Sequence, residues 1–207
     1  MIRQYMQNLT GMLAITFVAQ VSAQTPVEIK LIAAIEEERG WCLDVRGAPG
    51  RTEPIGGLRS ETCKMYSDNM PTEDQAFYME NIQKDNEFRM VDFSDKCITL
   101  YEPAAGSFVS LETCDGRAAQ AIKFHDTGHI IPEMMPELCL TISDLVMPGG
   151  GGRPLHLMRD VTFEKCDPRI DIRQTWEMRT EWTGFQQTTA ERPFTANPNA
   201  RPPRVTP

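Results

Sequence analysis

Six cysteines and three of the glutamates stand at matched spacings, and they limit the chemistry open to this chain. Glu61, Glu112 and Glu164 each lie two residues before a cysteine: Cys63, Cys114 and Cys166. Six sulfurs can hold zinc or close disulfides. The chain has no Cys-x-x-Cys and its cysteine spacings are wide, which points away from zinc and towards disulfides. Paired carboxylates can hydrolyse glycosides when they sit about 5 to 9.5 Å apart across a cleft. Glutamates on three separate segments do not meet that requirement. His125 and His129 are four apart, which suits a metal pair on a helix, but Asp126-Thr127-Gly128 between them reads as a hairpin turn. No Gly-x-Ser-x-Gly, His-Glu-x-x-His or phosphate loop is present. The expectation is a protein that is not an enzyme and needs no metal and no cofactor.

The elements that position these residues repeat. Cys97-Ile98-Thr99-Leu100, a turn, Phe108 to Cys114, and then Gln120-Ala121-Ile122 form one unit. Trp41 to Val45, Leu58 to Cys63 and Gln75-Ala76-Phe77 form an earlier copy. Leu138 to Ile142, Val161 to Cys166 and Gln174-Thr175-Trp176 form a later one. Self-similarity at a period of about 40 residues is a signal about the whole fold. Within each copy, apolar residues alternate with polar ones, as at Leu43 and Val45, Ile98 and Leu100, and Val109 and Leu111. That period of two predicts strands with one face inward, so the chain reads as all-β. Gly and Pro clusters, such as Pro148 followed by Gly149 to Gly152, punctuate the strands. Leu31 to Glu38 could pass as a helix by propensity, yet it carries no capping signal. Two cysteines fall in each copy, so the repeat selects the pairing Cys42–Cys63, Cys97–Cys114 and Cys139–Cys166 out of the fifteen that six cysteines allow. Each bond would close a loop of about 20 residues and contribute roughly 3 to 4 kcal/mol.

The ends differ from the middle. Residues 1–23 hold one basic side chain, Arg3, then a short apolar run from Gly11 to Ala19, then Val21-Ser22-Ala23. This is the layout of a secretory signal peptide, and the run is short of the about 20 residues of a membrane span. Without residues 1–23 the formal charge of −8 becomes −9, because Arg3 is their only charge. An acidic chain is a poor partner for nucleic acid or an anionic membrane. Residues 24–185 are expected to form one domain. Residues 186–207, with five prolines, Arg192, Arg201 and Arg204, are expected to be a disordered tail.

Three copies of about 40 residues, each with a cysteine pair and a Gln-x-apolar triplet, resemble the ricin B-type lectin family. The resemblance covers residues 28–182. It implies a β-trefoil of three repeats, about 40 to 60 residues each, closed by disulfides within repeats. The triplet pairs Gln75 with Phe77, Gln120 with Ile122, and Gln174 with Trp176; only the last matches the family's Gln-x-Trp in full. Residues i and i+2 of a strand share a face, so glutamine and apolar residue should both turn inward, in a structural role.

The resemblance also says what a sugar site needs. A carboxylate two residues after the first cysteine accepts from sugar hydroxyls. An aromatic two residues before the second cysteine stacks on the ring. An amide at or beside the triplet glutamine completes the site. Asp44, with Asp74 and Gln75, fills the polar roles in repeat one, whereas Thr99 and Thr141 stand in the Asp44 position of the other repeats. Asp44 reads equally as a hairpin hydrogen-bond acceptor. The stacking position holds Glu61, Glu112 and Glu164, which read either as solvated outward residues or as an acidic belt. Tyr66, Phe77 or Tyr78 could compensate in repeat one. The resemblance therefore implies a secreted or periplasmic, non-catalytic glycan-binding protein with its site at Asp44, Asp74 and Gln75. The alternative is a degenerate trefoil that contacts a protein partner, in part through its tail, as a scaffold or a subunit of an exported complex or toxin. Neither nucleic acid nor membrane insertion is expected.

Overall fold

The computed structural model describes residues 24–46, 56–64 and 73–180. The expected signal segment 1–23, the expected tail 186–207 and Tyr66 lie outside them. The described strands are β1 (Pro26–Leu31), β2 (Trp41–Val45), β3 (Leu58–Thr62), β4 (Ala76–Tyr78), β5 (Lys96–Leu100), β6 (Ser107–Thr113), β7 (Ile122–Phe124), β8 (Ile130–Pro132), β9 (Leu138–Ile142), β10 (Met147–Pro148), β11 (Leu157–Lys165) and β12 (Trp176–Arg179). Strands β12-β1-β2-β3-β11-β6-β5 are joined in that order, with β4, β9 and β10 attached at the side, and β7 and β8 form a separate hairpin.

Three hairpins in equivalent register carry the repeat: β2 with β3, β5 with β6, and β9 with β11. In each, the first cysteine lies directly across from the glutamate: Cys42 from Glu61, Cys97 from Glu112, Cys139 from Glu164. Each hairpin is closed by its own disulfide, in the expected pairing Cys42–Cys63, Cys97–Cys114 and Cys139–Cys166. The architecture is the β-trefoil that the family resemblance implied.

Alternation sends one face of each hairpin into a common core. Leu43, Val45 and Leu58 meet Ile98, Leu100, Val109 and Leu111, and these meet Leu140, Ile142, Val161 and Phe163, all buried. Each such side chain contributes about 1.5 to 3 kcal/mol when fully buried. Phe77, Ile122 and Trp176 of the triplets are buried with them, and so are Gln75, Gln120 and Gln174. Each glutamine ends or follows a 3-10 turn (Glu73–Gln75, Ala118–Gln120, Pro168–Arg173), which swings it beneath its hairpin.

The strands differ from simple alternation in one respect: β2 and β9 are buried on both faces. Among their polar residues, Asp44 and Thr141 each accept a hydrogen bond from the triplet glutamine of their own repeat. One helix also forms, α1 (Met79–Asp85), with only Ile82 buried. It ends at Asn86, whose left-handed backbone (φ 53°) lets its N–H donate to Asn81 O. Leu31 to Glu38 is not helical beyond the end of β1, and Glu36 there has φ 54°. His125 to Gly128 makes the expected turn of the β7–β8 hairpin, with His125 N donating to His129 O at 2.8 Å. Gly128 holds φ +86°, and a Cβ there would lie 2.7 Å from Thr175 Cγ2, so the turn needs glycine. No helix among the described residues is long and apolar enough to cross a membrane.

Candidate functional site

The same glutamine clamp recurs under all three hairpins. Gln120 Oε1 accepts from Asp115 N at 2.9 Å, and its Nε2 donates to Thr113 O at 2.9 Å and to Thr99 Oγ1 at 3.2 Å. Gln174 Oε1 accepts from Asp167 N at 2.9 Å, and its Nε2 donates to Lys165 O at 3.0 Å and Thr141 Oγ1 at 2.8 Å. Gln75 Oε1 accepts from Lys64 N at 2.7 Å, and its Nε2 donates to Thr62 O at 3.2 Å. Its other bond, at 2.8 Å, goes to Asp44 Oδ2 where the other repeats present a threonine hydroxyl. The clamp satisfies backbone groups at the hairpin mouth, which a buried amide is suited to do.

Repeat one therefore places a charge where its siblings place a neutral hydroxyl. The charge has a partner that the sequence reading missed. Lys64 follows Cys63, the position of Asp115 and Asp167 in the other repeats. Its ammonium lies 2.8 Å from Asp44 Oδ2, 2.8 Å from Asp74 Oδ2 and 4.0 Å from Glu61. Arg59, directly across from Asp44 in the register, binds Glu61 at 2.5 Å and reaches Asp44 Oδ1 at 3.7 Å. His156 Nδ1 lies 3.7 Å from Glu61.

Burial by itself would lower the Lys64 pKa. The carboxylates of Asp44, Asp74 and Glu61 more than reverse that and hold its pKa well above the ordinary lysine range. Burial pushes the Asp44 carboxyl up, Lys64 pulls it back, and the charges of Asp74 and Glu61 push it up again. Glu61 is also opposed by burial, but His156, Lys64 and Arg59 together hold its pKa below the usual carboxylate value.

The structure brings the three expected site residues together: Gln75 bonds Asp44, and Lys64 bridges Asp44 to Asp74. It does not leave them open. Asp44 and Gln75 have no exposed surface, while the side chains of Lys64 and Asp74 are each 15% exposed. Asp44 Oδ2 is already taken by the Lys64 ammonium and Gln75 Nε2. The expectation that Glu61 is a solvated outward residue is corrected: it is buried, because Arg59, Lys64 and His156 close over it. Glu112, held by Arg117 and Ser110, and Glu164, held by Thr162, are partly exposed. Of the candidate compensating aromatics, Phe77 is in the core and Tyr78 is half-buried at the start of α1. The two groupings of carboxylate and sulfur that come close together, at Glu28 and Glu87, use disulfide sulfurs and not thiolates, so they are no metal centres.

With three equivalent clamps and three disulfide-closed hairpins in place, the comparison with known proteins is direct. The ricin-type beta-trefoil lectin domain matches residues 32–150. The chain belongs to that family. Its fold supports a carbohydrate-binding role. The agglutinin from Abrus precatorius superimposes with a TM-score of 0.52 at 20% identity, covering 79% of this chain and 51% of that one. The C-half of the earthworm R-type lectin, solved in complex with GalNAc, gives 0.51 at 16% identity, covering 76% and 99%. A non-toxic homologue of type II RIPs from Momordica charantia (bitter gourd), in complex with α-methyl-D-galactoside, gives 0.51 at 15%, covering 75% and 48%. The chain thus spans about half the length of the Abrus agglutinin. At these identities the likeness concerns the fold. Among curated proteins none matches the sequence.

Proposed function

We propose that this ricin-type trefoil is a secreted, non-catalytic carbohydrate-binding protein with a sugar site at repeat one. The observation behind this reading is the convergence of Asp44 and Asp74 on the Lys64 ammonium, with Gln75 bound to Asp44 and to the Lys64 backbone N–H. Lys64 and Asp74 supply a donor and an acceptor at the surface, and Asp44 and Gln75 orient them from behind. Hydrogen bonds to charged groups are the stronger kind, so a few of them can fix a sugar's orientation. Three disulfides and the layout of residues 1–23 support export. A glycan array with the intact chain tests the reading. Asp74→Ala and the shape-conserving Asp44→Asn are expected to weaken binding at this site at least tenfold. A sugar bound equally by parent and both variants would remove repeat one as a site.

A second reading is favoured by the closed state of that cluster and by glutamate in the stacking position of all three repeats. Here the trefoil is a scaffold for a protein partner, engaged through the Pro- and Arg-rich residues 186–207, as a subunit of an exported complex or toxin. Deleting 186–207 is then expected to abolish co-purification of a defined native partner. Retained partner binding in the deleted chain would exclude the tail as the contact.

A further inference from the structure

The three hairpins share a register, and at one place in it they diverge. Beyond the inward pairs Val45–Leu58, Leu100–Val109 and Ile142–Val161 comes one more cross-strand pair. It is marked in each hairpin by the same backbone bond: Arg46 N to Gly57 O at 3.1 Å, Tyr101 N to Phe108 O at 3.4 Å, and Ser143 N to Asp160 O at 2.8 Å. In repeat one this position is closed by the chain itself. A Cβ on Gly57 would lie 2.2 Å from Val109 O, and Arg46 turns to Asp160 at 2.5 Å, which also engages the position in repeat three. Repeat two alone presents two aromatic rings there. Tyr101 and Phe108 are each 62% exposed.

Residues directly opposite on paired strands have Cβ atoms about 4.5 to 5.5 Å apart, so Tyr101 and Phe108 leave neighbouring points of the hairpin on the same outward face. Their polar neighbours are fixed by the same register. Thr162 of β11 lies across from Phe108 on its other side, and Ser110 follows Phe108 on the same face, about 6.6 Å along the strand. Glu112 and Glu164 come next on β6 and β11, both partly exposed. Because β6 and β11 run antiparallel, Glu112 and Glu164 lie to opposite sides of the two aromatic residues, with Ser110 and Thr162 nearer Phe108.

We propose that Tyr101 and Phe108 form a second glycan-binding site, in repeat two, for a neutral sugar. The proposal rests on the carbohydrate-binding reading of the fold. It relocates the missing stacking surface from the glutamate position to the hairpin tip. A pyranose offers an apolar C–H face for the rings and hydroxyls for Ser110, Thr162 and the carboxylates. Size favours such a ligand over a protein. Aromatic side chains bury about 150 to 250 Å² each, so two rings exposed to this degree offer roughly 200 to 300 Å², well below the about 800 Å² per partner of a stable protein interface. Charge favours a neutral sugar, since the chain carries −8 and the nearest charges in the register include Glu112 and Glu164.

The test titrates the intact, isotope-labelled chain with galactose, N-acetylgalactosamine, N-acetyllactosamine, glucose and mannose, following amide shifts by NMR. A sugar that shifts residues 101–110, and whose affinity at this site falls at least tenfold in Tyr101→Ser/Phe108→Ser but persists in Phe108→Trp, supports the site. Both rings face solvent, so the double variant is expected to keep the parent's thermal midpoint. A sugar that shifts Lys64 and Asp74 only, with the double variant binding as the parent does, overturns this site and leaves the lectin reading standing. No binding by the parent to any of the five sugars overturns both. A parent that binds none of them but forms a dimer lost in the double variant identifies the rings as a protein contact and also overturns the proposal.

Discussion

Lys64→Met unfolds about 3 to 5 kcal/mol more easily than the parent at pH 7.5, the range expected when one partner of a buried ion pair is removed. Two short contacts are lost, to Asp44 and Asp74, and three carboxylates are left to repel one another around the buried Asp44. The defect depends on pH with a definite sign. In the parent, the raised Lys64 pKa supplies stability throughout the neutral range, lost only in strong alkali above the usual lysine value. Glu61, held low, supplies stability above its unfolded pKa near 4.3 that is lost as pH falls through its folded value. In the variant, the ammonium that pulled Asp44 down is gone, while burial and the charges of Asp74 and Glu61 still push it up. Asp44 already lies above its ordinary value in the folded parent, so the folded state binds more protons than the unfolded one in both proteins, and over a wider pH range in the variant. The variant gains stability as pH falls through the Asp44 folded pKa towards the unfolded value near 3.9. Denaturant midpoints at pH 7.5 and pH 5 therefore show the gap to the parent narrowing on acidification. Adding Asp44→Asn to Lys64→Met restores part of the loss at pH 7.5. Lys84→Met, on the exposed side of α1, serves as the control and changes nothing. A gap below 1 kcal/mol, or one that does not move with pH, would mean that the cluster is solvated and contributes little.

What the sequence displayed and what it hid separate along this same cluster. The cysteine pairing and the glutamine clamp were legible because each is encoded three times within a stretch of some tens of residues. Gln120 and Ile122 are both buried as expected, but the strand begins only at Ile122, and it is the 3-10 turn Ala118–Gln120 that carries the glutamine inward. Asp44 was singled out as a surface acceptor, whereas the structure buries it. Arg59 reaches it from the partner strand of its hairpin, Lys64 from just beyond that strand's end and Asp74 from the turn before Gln75, and their meeting depends on a register that the single-residue pattern does not show. Lys64 could have been noticed, since it stands where the other repeats carry Asp115 and Asp167. A charge of the opposite sign at an equivalent position hints at a carboxylate nearby. Phe108 likewise falls on the outward phase of β6, opposite in phase to Val109 and Leu111. Its pairing with Tyr101 needed the hairpin register, which the turn between them concealed.

The register also ranks the core. Phe77, Ile122 and Trp176 hold the same place in the three repeats and are all buried, yet their removal is not expected to cost the same. Trp176→Ala empties the largest volume and also removes the indole N–H that donates to Leu140 O at 2.9 Å, leaving a buried carbonyl without that partner. The Trp176 backbone is tied to the β7–β8 turn by the bond from Trp176 N to Gly128 O at 2.8 Å. Large-to-small changes of this kind cost about 3 to 5 kcal/mol for tryptophan or phenylalanine and about 2 to 5 for isoleucine. Trp176→Ala is expected at the top of that range, with a thermal midpoint lowered on the order of 10 °C, and Ile122→Ala at the bottom. Phe77→Ala falls between, since Phe77 loses an edge contact with Phe88 at 6.2 Å but no hydrogen bond. Thermal scans of the three variants with disulfides intact give the order. Equal losses at all three positions would show that the repeats share one yielding core; the structure instead predicts that the third repeat, whose triplet alone keeps the tryptophan, anchors the other two.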